Sequence, residues 1–216
     1  MQLKFSDLVI NTPDGRRLLT INEAVIPAGI TALTGKNGAG KSTLLSAIFG
    51  LRPLAGGAIT LNGVDSRRDR QQFLANAVFQ PQNFAAYPDL TGEEFLIYFL
   101  RLRGVPRTEA RALSGNWLDR VGLSDAGSRR TAEYSQGMLQ RLGFAYAMQS
   151  GAPLCVLDEP FAGVDPAARA DLSNVLADMA RDRIILICTH HVDEMAARGA
   201  TMVGIADGGW TQGVAT

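Results

Sequence analysis

The segment Gly35-Lys-Asn-Gly-Ala-Gly-Lys-Ser42 constrains this chain more than any other. It fits the pattern G-x-x-x-x-G-K-[ST], follows an apolar run from Ile30 to Leu33 that reads as a strand, and opens into Leu44-Leu-Ser-Ala-Ile-Phe49, which reads as a helix. In that context the glycines let backbone N–H groups wrap a polyphosphate, and the helix N-terminus adds a favourable dipole. Gly35, Asn37, Gly38, Ala39, Gly40, Lys41, Ser42 and Thr43 are therefore candidate contacts to a nucleoside triphosphate. Lys41 should reach the β- and γ-phosphates, and Ser42 supplies a hydroxyl to Mg²⁺. Two of the three lysines, Lys36 and Lys41, sit in this loop. A glycine-rich surface turn is the bland alternative, and the flanking strand and helix argue against it.

The 216 residues suit one domain, or a core with a subdomain. An apolar fraction of 46% and a net charge of zero describe an ordinary globular chain. The arginines are scattered, with no basic stripe interleaved with aromatics, so no nucleic-acid surface is expected. No run of eighteen apolar residues exists, and the first residues lack a leader-like apolar stretch. Cys155 and Cys188 lie inside apolar, strand-like runs, which fits buried thiols in a cytoplasmic setting better than a disulfide framework.

Short strands are expected from Leu3 to Ile10 and from Arg17 to Ile26, around the Pro13-Asp-Gly15 turn. Ala58 to Leu61, turning at Asn62-Gly63, and Ala77-Val-Phe79 continue the pattern. From Asn83 to Ser150 the character becomes helical. Thr91-Gly-Glu-Glu94 forms a capping-box pattern before Phe95-Leu-Ile-Tyr-Phe-Leu100, a run that fits a core helix or a partner-binding face. Ser114 to Val121 and Leu139 to Gln149 read as two further helices. Buried strands then return at Leu154-Cys-Val-Leu157 and Ile184-Ile-Leu-Ile-Cys188, with a helix from Ala167 to Ala180 between them. Strands that alternate with helices and are apolar on both faces predict an α/β fold with a largely parallel sheet.

The strand at Leu154 ends in Asp158-Glu159-Pro160, which puts two carboxylates at the carboxyl edge of the sheet, where α/β folds bind ligands. Asp158 can hold the Mg²⁺ shell through Ser42 or water, and Glu159 can polarise an attacking water.

With these motifs in order the chain resembles the ATP-binding cassette (ABC) ATPases from about Leu3 to Gly213. Phe79-Gln-Pro-Gln82 is similar to the family's Q-loop. Gln80 and Gln82 compete for that role, and Gln82 fits better because Thr91 follows nine residues later. The resemblance implies that this glutamine touches Mg²⁺ and the attacking water. Tyr134-Ser-Gln-Gly-Met138 resembles the signature sequence, whose serine and glycine, here Ser135 and Gly137, bind the γ-phosphate of ATP on the opposite subunit. A plain helix N-cap explains Ser135 equally well. Met138 departs from the usual glutamine and cannot complete a capping box; methionine there is similar to bacterial ABC-2-type exporter ATPases. Asp165 resembles the D-loop aspartate that communicates across the dimer, and Asp165-Pro166 is also a favoured helix start; both readings can hold together. Thr189-His190 resembles the switch that contacts the γ-phosphate, while His191 receives no role.

The resemblance implies a P-loop core of residues 1–82 and 151–216, with an N-terminal antiparallel β part and an inserted helical subdomain, residues 83–150. It also implies ATP hydrolysis with Mg²⁺ at the interface of two such subunits, a homodimer in the simplest case. Glu159, His190, Gln82 and Lys41 are the expected catalytic residues, and Ser42, Gln82 and Asp158 the expected metal ligands. A separate transmembrane permease, docked near Gln82 to Leu100, would hold the subunit at the inner face of the membrane, with export the expected direction. One piece is missing. The family's adenine-stacking aromatic has no counterpart in Val9-Ile-Asn-Thr-Pro13, so either the base rests on Val9 or Pro13 or base selectivity is loose, and a weak preference among purine triphosphates is expected. Phe5, the nearest ring, alternates with Leu3 as a core residue would. A soluble ABC ATPase working on nucleic acid or ribosomes is the rival reading. A GTPase would need an Asn-Lys-x-Asp element, which the chain lacks.

Overall fold

The computed structural model describes residues 1–212; the last residues assigned to the core, including Gly213, lie outside the described residues. The chain runs β1 (Gln2–Asn11), β2 (Arg17–Pro27), β3 (Gly29–Thr34), α1 (Lys41–Ile48), β4 (Gly56–Leu61), β5 (Val64–Asp65), α2 (Arg70–Ala75) and β6 (Ala77–Gln80). It continues through α3 (Gly92–Leu102), α4 (Arg107–Arg120), α5 (Gln136–Gln149), β7 (Leu154–Asp158), α6 (Pro166–Met179), β8 (Ile184–Cys188), α7 (Val192–Ala196), β9 (Thr201–Ala206) and β10 (Gly209–Gln212).

The ten strands among the described residues join in one mixed sheet of order β5-β4-β1-β2-β10-β9-β3-β8-β7-β6. The β9-β3-β8-β7-β6 stretch is parallel, whereas β1 pairs antiparallel with both β2 and β4. The two halves connect through β10, which pairs with β2 at a single position, Gly209 opposite Thr20. The parallel part is narrower than a largely parallel sheet would make it, because the N-terminal hairpin continues the same sheet.

The apolar runs β7 and β8 are buried along their whole lengths. Period-two alternation sends Cys155, Leu157, Ile185 and Ile187 to one face and Leu154, Val156, Ile184 and Leu186 to the other. The first face packs under α5, α6 and the α3–α4 pair, and the second against α1 and the N-terminal strands. Phe5 is fully buried there, edge-on to Trp210 at 5.6 Å between ring centroids.

In α3 the capping box forms as the pattern predicts: Glu94 N donates to Thr91 Oγ1 at 3.1 Å, and Thr91 N to Glu94 Oε2 at 2.9 Å. The Phe95–Leu100 run divides its roles. Phe95, Leu96 and Leu100 are buried, while Tyr98 stays exposed. No helix among the described residues is long and apolar enough to cross a membrane.

Candidate functional site

Strand register brings the separated motifs to one edge. Cys188 at the end of β8 pairs with Leu33 on one side and Asp158 on the other, so the loop after β3 lies beside the carboxylates after β7. Gln80 ends β6 on the next strand out, opposite Leu157. A cleft of about 340 Å³ opens at that edge, lined by Asn37, Gly38, Gly40, Lys41, Ser42, Thr43, Gln82, Asp158, Glu159, His190 and Cys188.

The loop that opens this cleft needs its glycines. Gly35 adopts φ +146°, and a Cβ there would collide with the carbonyl oxygen of Ile205 on β9. Gly40 caps α1 in the left-handed region at φ 102°, with no side-chain cap. The first N–H groups of α1 are thus free for an anion in the cleft. The Lys41 ammonium arches back to donate to the carbonyls of Gly35 at 2.7 Å and Lys36 at 3.1 Å, which holds its charge over the loop.

Opposite the loop stand the two acids. Burial pushes the Asp158 carboxyl above the usual range, and the Ser42 hydroxyl, the Cys188 thiol and the Lys41 charge pull it partly back. Burial likewise raises Glu159, against the charge and backbone N–H of His190. The Glu159 carboxylate is held at both oxygens: His190 Nε2 lies 3.2 Å from Oε1, and His190 N donates to Oε2 at 3.3 Å. Its backbone sits at φ +48°, in the left-handed region, where a non-glycine residue costs of order 1–3 kcal/mol. A buried carboxylate held in this way, facing an open cleft, can accept a proton from a water.

The described residues also fit Mg²⁺. Asp158 Oδ1 is buried without a hydrogen-bond partner. The Ser42 hydroxyl stands next to that carboxylate, and Gln82 lines the same wall. Hard oxygen donors of this kind suit Mg²⁺, which keeps some of its waters.

Other predicted residues lie elsewhere. Gly35 and Ala39 belong to the loop but do not line the cleft. Ser135 caps α5, accepting from Met138 N at 3.3 Å, and no reciprocal bond from Met138 completes a box. A Cβ on Gly137 would stand 2.5 Å from the carbonyl oxygen of Gly163, so the start of α5 abuts the turn before Asp165. Asp165 caps α6, accepting from Ala168 N at 3.0 Å, and that bond holds its carboxyl below the usual range. Within one chain, Ser135, Gly137 and Asp165 therefore form a surface apart from the cleft.

Two features escaped the motif reading. Cys188 lines the cleft as well as filling the core, and burial beside Asp158 and Glu159 pushes its thiol up to about 12. Its position at the last strand residue before Thr189-His190 was the available signal. Arg169 on α6 meets Glu194 on α7 at 2.9 Å, largely sheltered from solvent, and so braces the segment that carries His190.

Beside the phosphate loop a second cavity, about 530 Å³, is lined by Asn11, Thr12, Pro13, Leu18, Thr43, Arg52, Pro53, Leu54 and Ala55. Thr43 borders both cavities. Pro13 lines this second one and Val9 does not; no aromatic side chain lines it among the described residues.

A family model described as ABC transporter matches residues 18–162, about two thirds of the chain. The chain is 35% identical over 179 residues to the human phospholipid-transporting ATPase ABCA7, covering 83% of this chain and 8% of that protein. It is 30% identical over 199 residues to the human phospholipid-transporting ATPase ABCA3, covering 92% of this chain and 12% of that one. It thus spans only a small part of the length of these relatives. Among solved structures, an ATP-binding subunit of an ABC transporter superposes with a TM-score of 0.88 at 27% identity, over 98% of this chain and 90% of that one. The ATP-binding cassette MJ0796, in a dimeric post-hydrolysis state with ADP and Pi, superposes with a TM-score of 0.86 at 20% identity, over 97% and 98%; that likeness concerns the fold.

Proposed function

Because the chain belongs to the ABC transporter family, we propose that it is the ATP-hydrolysing subunit that drives a separate membrane permease, in the direction of export. The observation that carries this reading is the single cleft in which Lys41, Ser42, Gln82, Asp158, Glu159 and His190 meet, all at one sheet edge. The relatives named as phospholipid-transporting ATPases support a lipid-like cargo, with the permease choosing the substrate.

In this mechanism the loop N–H groups and Lys41 bind and neutralise the triphosphate. Ser42, Gln82 and Asp158 would hold Mg²⁺, which supplies charge to stabilise the β,γ-phosphate oxygens when bound. Glu159 accepts the proton of the attacking water, and His190 orients the Glu159 carboxylate. Ser135 and Gly137 complete the site from a second copy of the chain, so nucleotide binding closes a dimer and hydrolysis reopens it. Residues 83–150 form the helical part that transmits this motion, within a single ABC ATPase domain. The subunit then sits on the cytoplasmic side, peripheral to the membrane.

Purification of the tagged chain from detergent-solubilised membranes should bring down a polytopic membrane protein. Recovery with ribosomes or nucleic acid at moderate salt, and no membrane partner, would overturn the transport reading. The second cavity, with no aromatic lining among the described residues, gives another expectation. A base lying against Pro13 and Leu18 receives apolar contact but none from an aromatic ring, and the planar Arg52 guanidinium can stack on either purine. ATP and GTP should compete within about tenfold of one another, as loss of one specific contact implies; a preference for ATP of several hundredfold in competition binding would sink this.

A further inference from the structure

We infer that Gln140 is a positioning residue that sets Gln82 against the start of α5, a conclusion that rests on the cleft being an ATP-hydrolysing site. Gln140 and Gln80 are both fully buried, sixty residues apart in the chain and in contact in the fold. Gln80 Nε2 donates to Gln140 Oε1 at 3.0 Å and to the Gln140 carbonyl at 3.2 Å. The Gln140 Nε2 in turn donates to the carbonyl of Gln82 at 2.7 Å. One amide side chain therefore grips the end of β6 with its oxygen and the backbone of Gln82 with its nitrogen. Gln82 lines the cleft, and Gln140 stands little more than one helical turn after Ser135, the cap of α5.

The local packing is shaped around this clasp. A Cβ on Gly143 would lie 2.9 Å from Gln80 Nε2 and 2.8 Å from the Phe84 ring, so the bare glycine lets α5 approach the segment. The clasp is also incomplete as a stabilising device. Gln80 Oε1 is buried with no partner, and an unpaired buried acceptor is unfavourable. Apolar residues of the same volume would remove that unpaired acceptor but take the donor from the Gln82 carbonyl. What they could not do is fix the Gln82 carbonyl to the helix whose cap is Ser135.

Gln149 is the internal control. It lies on the same helix, is similarly buried, and makes the same kind of bond, donating from Nε2 to the Leu96 carbonyl at 3.0 Å, but away from the cleft. Gln140→Met should lower kcat for ATP hydrolysis at least tenfold with KM for ATP unchanged within threefold. Gln149→Met should leave kcat within threefold, whatever its effect on Tm. If Gln140→Met does not yield folded protein, Gln140→Asn serves, since it keeps a neutral amide on α5 but, one methylene shorter, draws the donor away from the Gln82 carbonyl. Joined to Gln82→Ala, the Gln140 variant should cost no more than Gln82→Ala alone, because the side chain being positioned is gone. Losses that multiply, or equal kcat losses in the Gln140 and Gln149 variants, overturn the inference and leave the hydrolytic reading intact. A wild-type chain that binds and hydrolyses no ATP overturns both.

Discussion

Glu159→Gln should retain ATP·Mg²⁺ binding and lose turnover by about 10²–10⁴-fold, the range that a positioned general base supplies. The exchange preserves shape and keeps a polar group beside His190, whose Nε2 lies 3.2 Å from one carboxylate oxygen. An amide cannot take the proton of an attacking water, so the reaction halts after binding. Gel filtration with ATP should then show a persistent nucleotide-bound dimer, where the wild type returns to monomers. The pH profile supplies a second readout of the same residue. The ionised carboxylate is the active form, and burial raises its pKa above the ordinary glutamate range. Wild-type kcat should therefore fall as pH is lowered through a value higher than that of a free glutamate, and the residual rate of the variant should lack this acid limb. Unchanged turnover in Glu159→Gln would remove the residue from the proton-transfer step.

A mixing experiment should have an equally large effect. Lys41→Ala removes the charge over the phosphates, and Ser135→Arg places a bulky cation at the cap of α5. Each homodimer should be nearly inactive. In a mixed dimer one site combines both defects, while the other joins an intact loop to an intact Ser135. Random pairing of equal amounts should restore about a quarter of wild-type turnover if the two sites of a symmetric dimer act independently. No recovery, with hetero-association verified by differential tags, would refute a site shared between copies. Full independence of the Ser135 change, with the Ser135→Arg homodimer active, would do the same.

Much of the fold was legible because local chemistry and burial agree in the stretches that matter. The runs 154–157 and 184–188 are apolar throughout, and a strand buried on both faces has little alternative. Thr91 and Glu94 announce the start of α3 through bonds that need no tertiary help. The start of α4 was less visible. The periodic pattern begins near Ser114, but the helix begins at Arg107, whose first turns are polar and follow Pro106. β9 and β10 escaped because Gly204, Gly208 and Gly209 interrupt any strand pattern there. The single junction between Gly209 and Thr20, and the clasp between Gln80 and Gln140, are long-range contacts with no local signature.

The same division runs through the candidate site. Gly35 to Thr43, Asp158-Glu159 and His190 were recognisable from residue type and position at strand ends, and the structure gathers most of them around one cleft. Of the two glutamines, Gln82 lines that cleft and Gln80 is buried behind it. Spacing could rank them, but only the packing of α5 distinguishes an amide that faces solvent from one that faces another amide. Ser135 and Gly137 lie away from the cleft within one chain, where a role toward a second copy has no local signature to read.

The narrow junction at Gly209 and Thr20 has a mechanical consequence. The β1–β2 hairpin contributes Thr12, Pro13 and Leu18 to the second cavity, while α1 and the loop after it contribute Thr43 and Arg52. The cavity therefore straddles a seam where the two halves of the sheet share one register pair. A nucleotide with its base in this cavity and its phosphates on Lys41 would touch both sides of that seam, whose halves also share one hydrophobic core in which Phe5 and Ile21 pack with Leu44 and Val156.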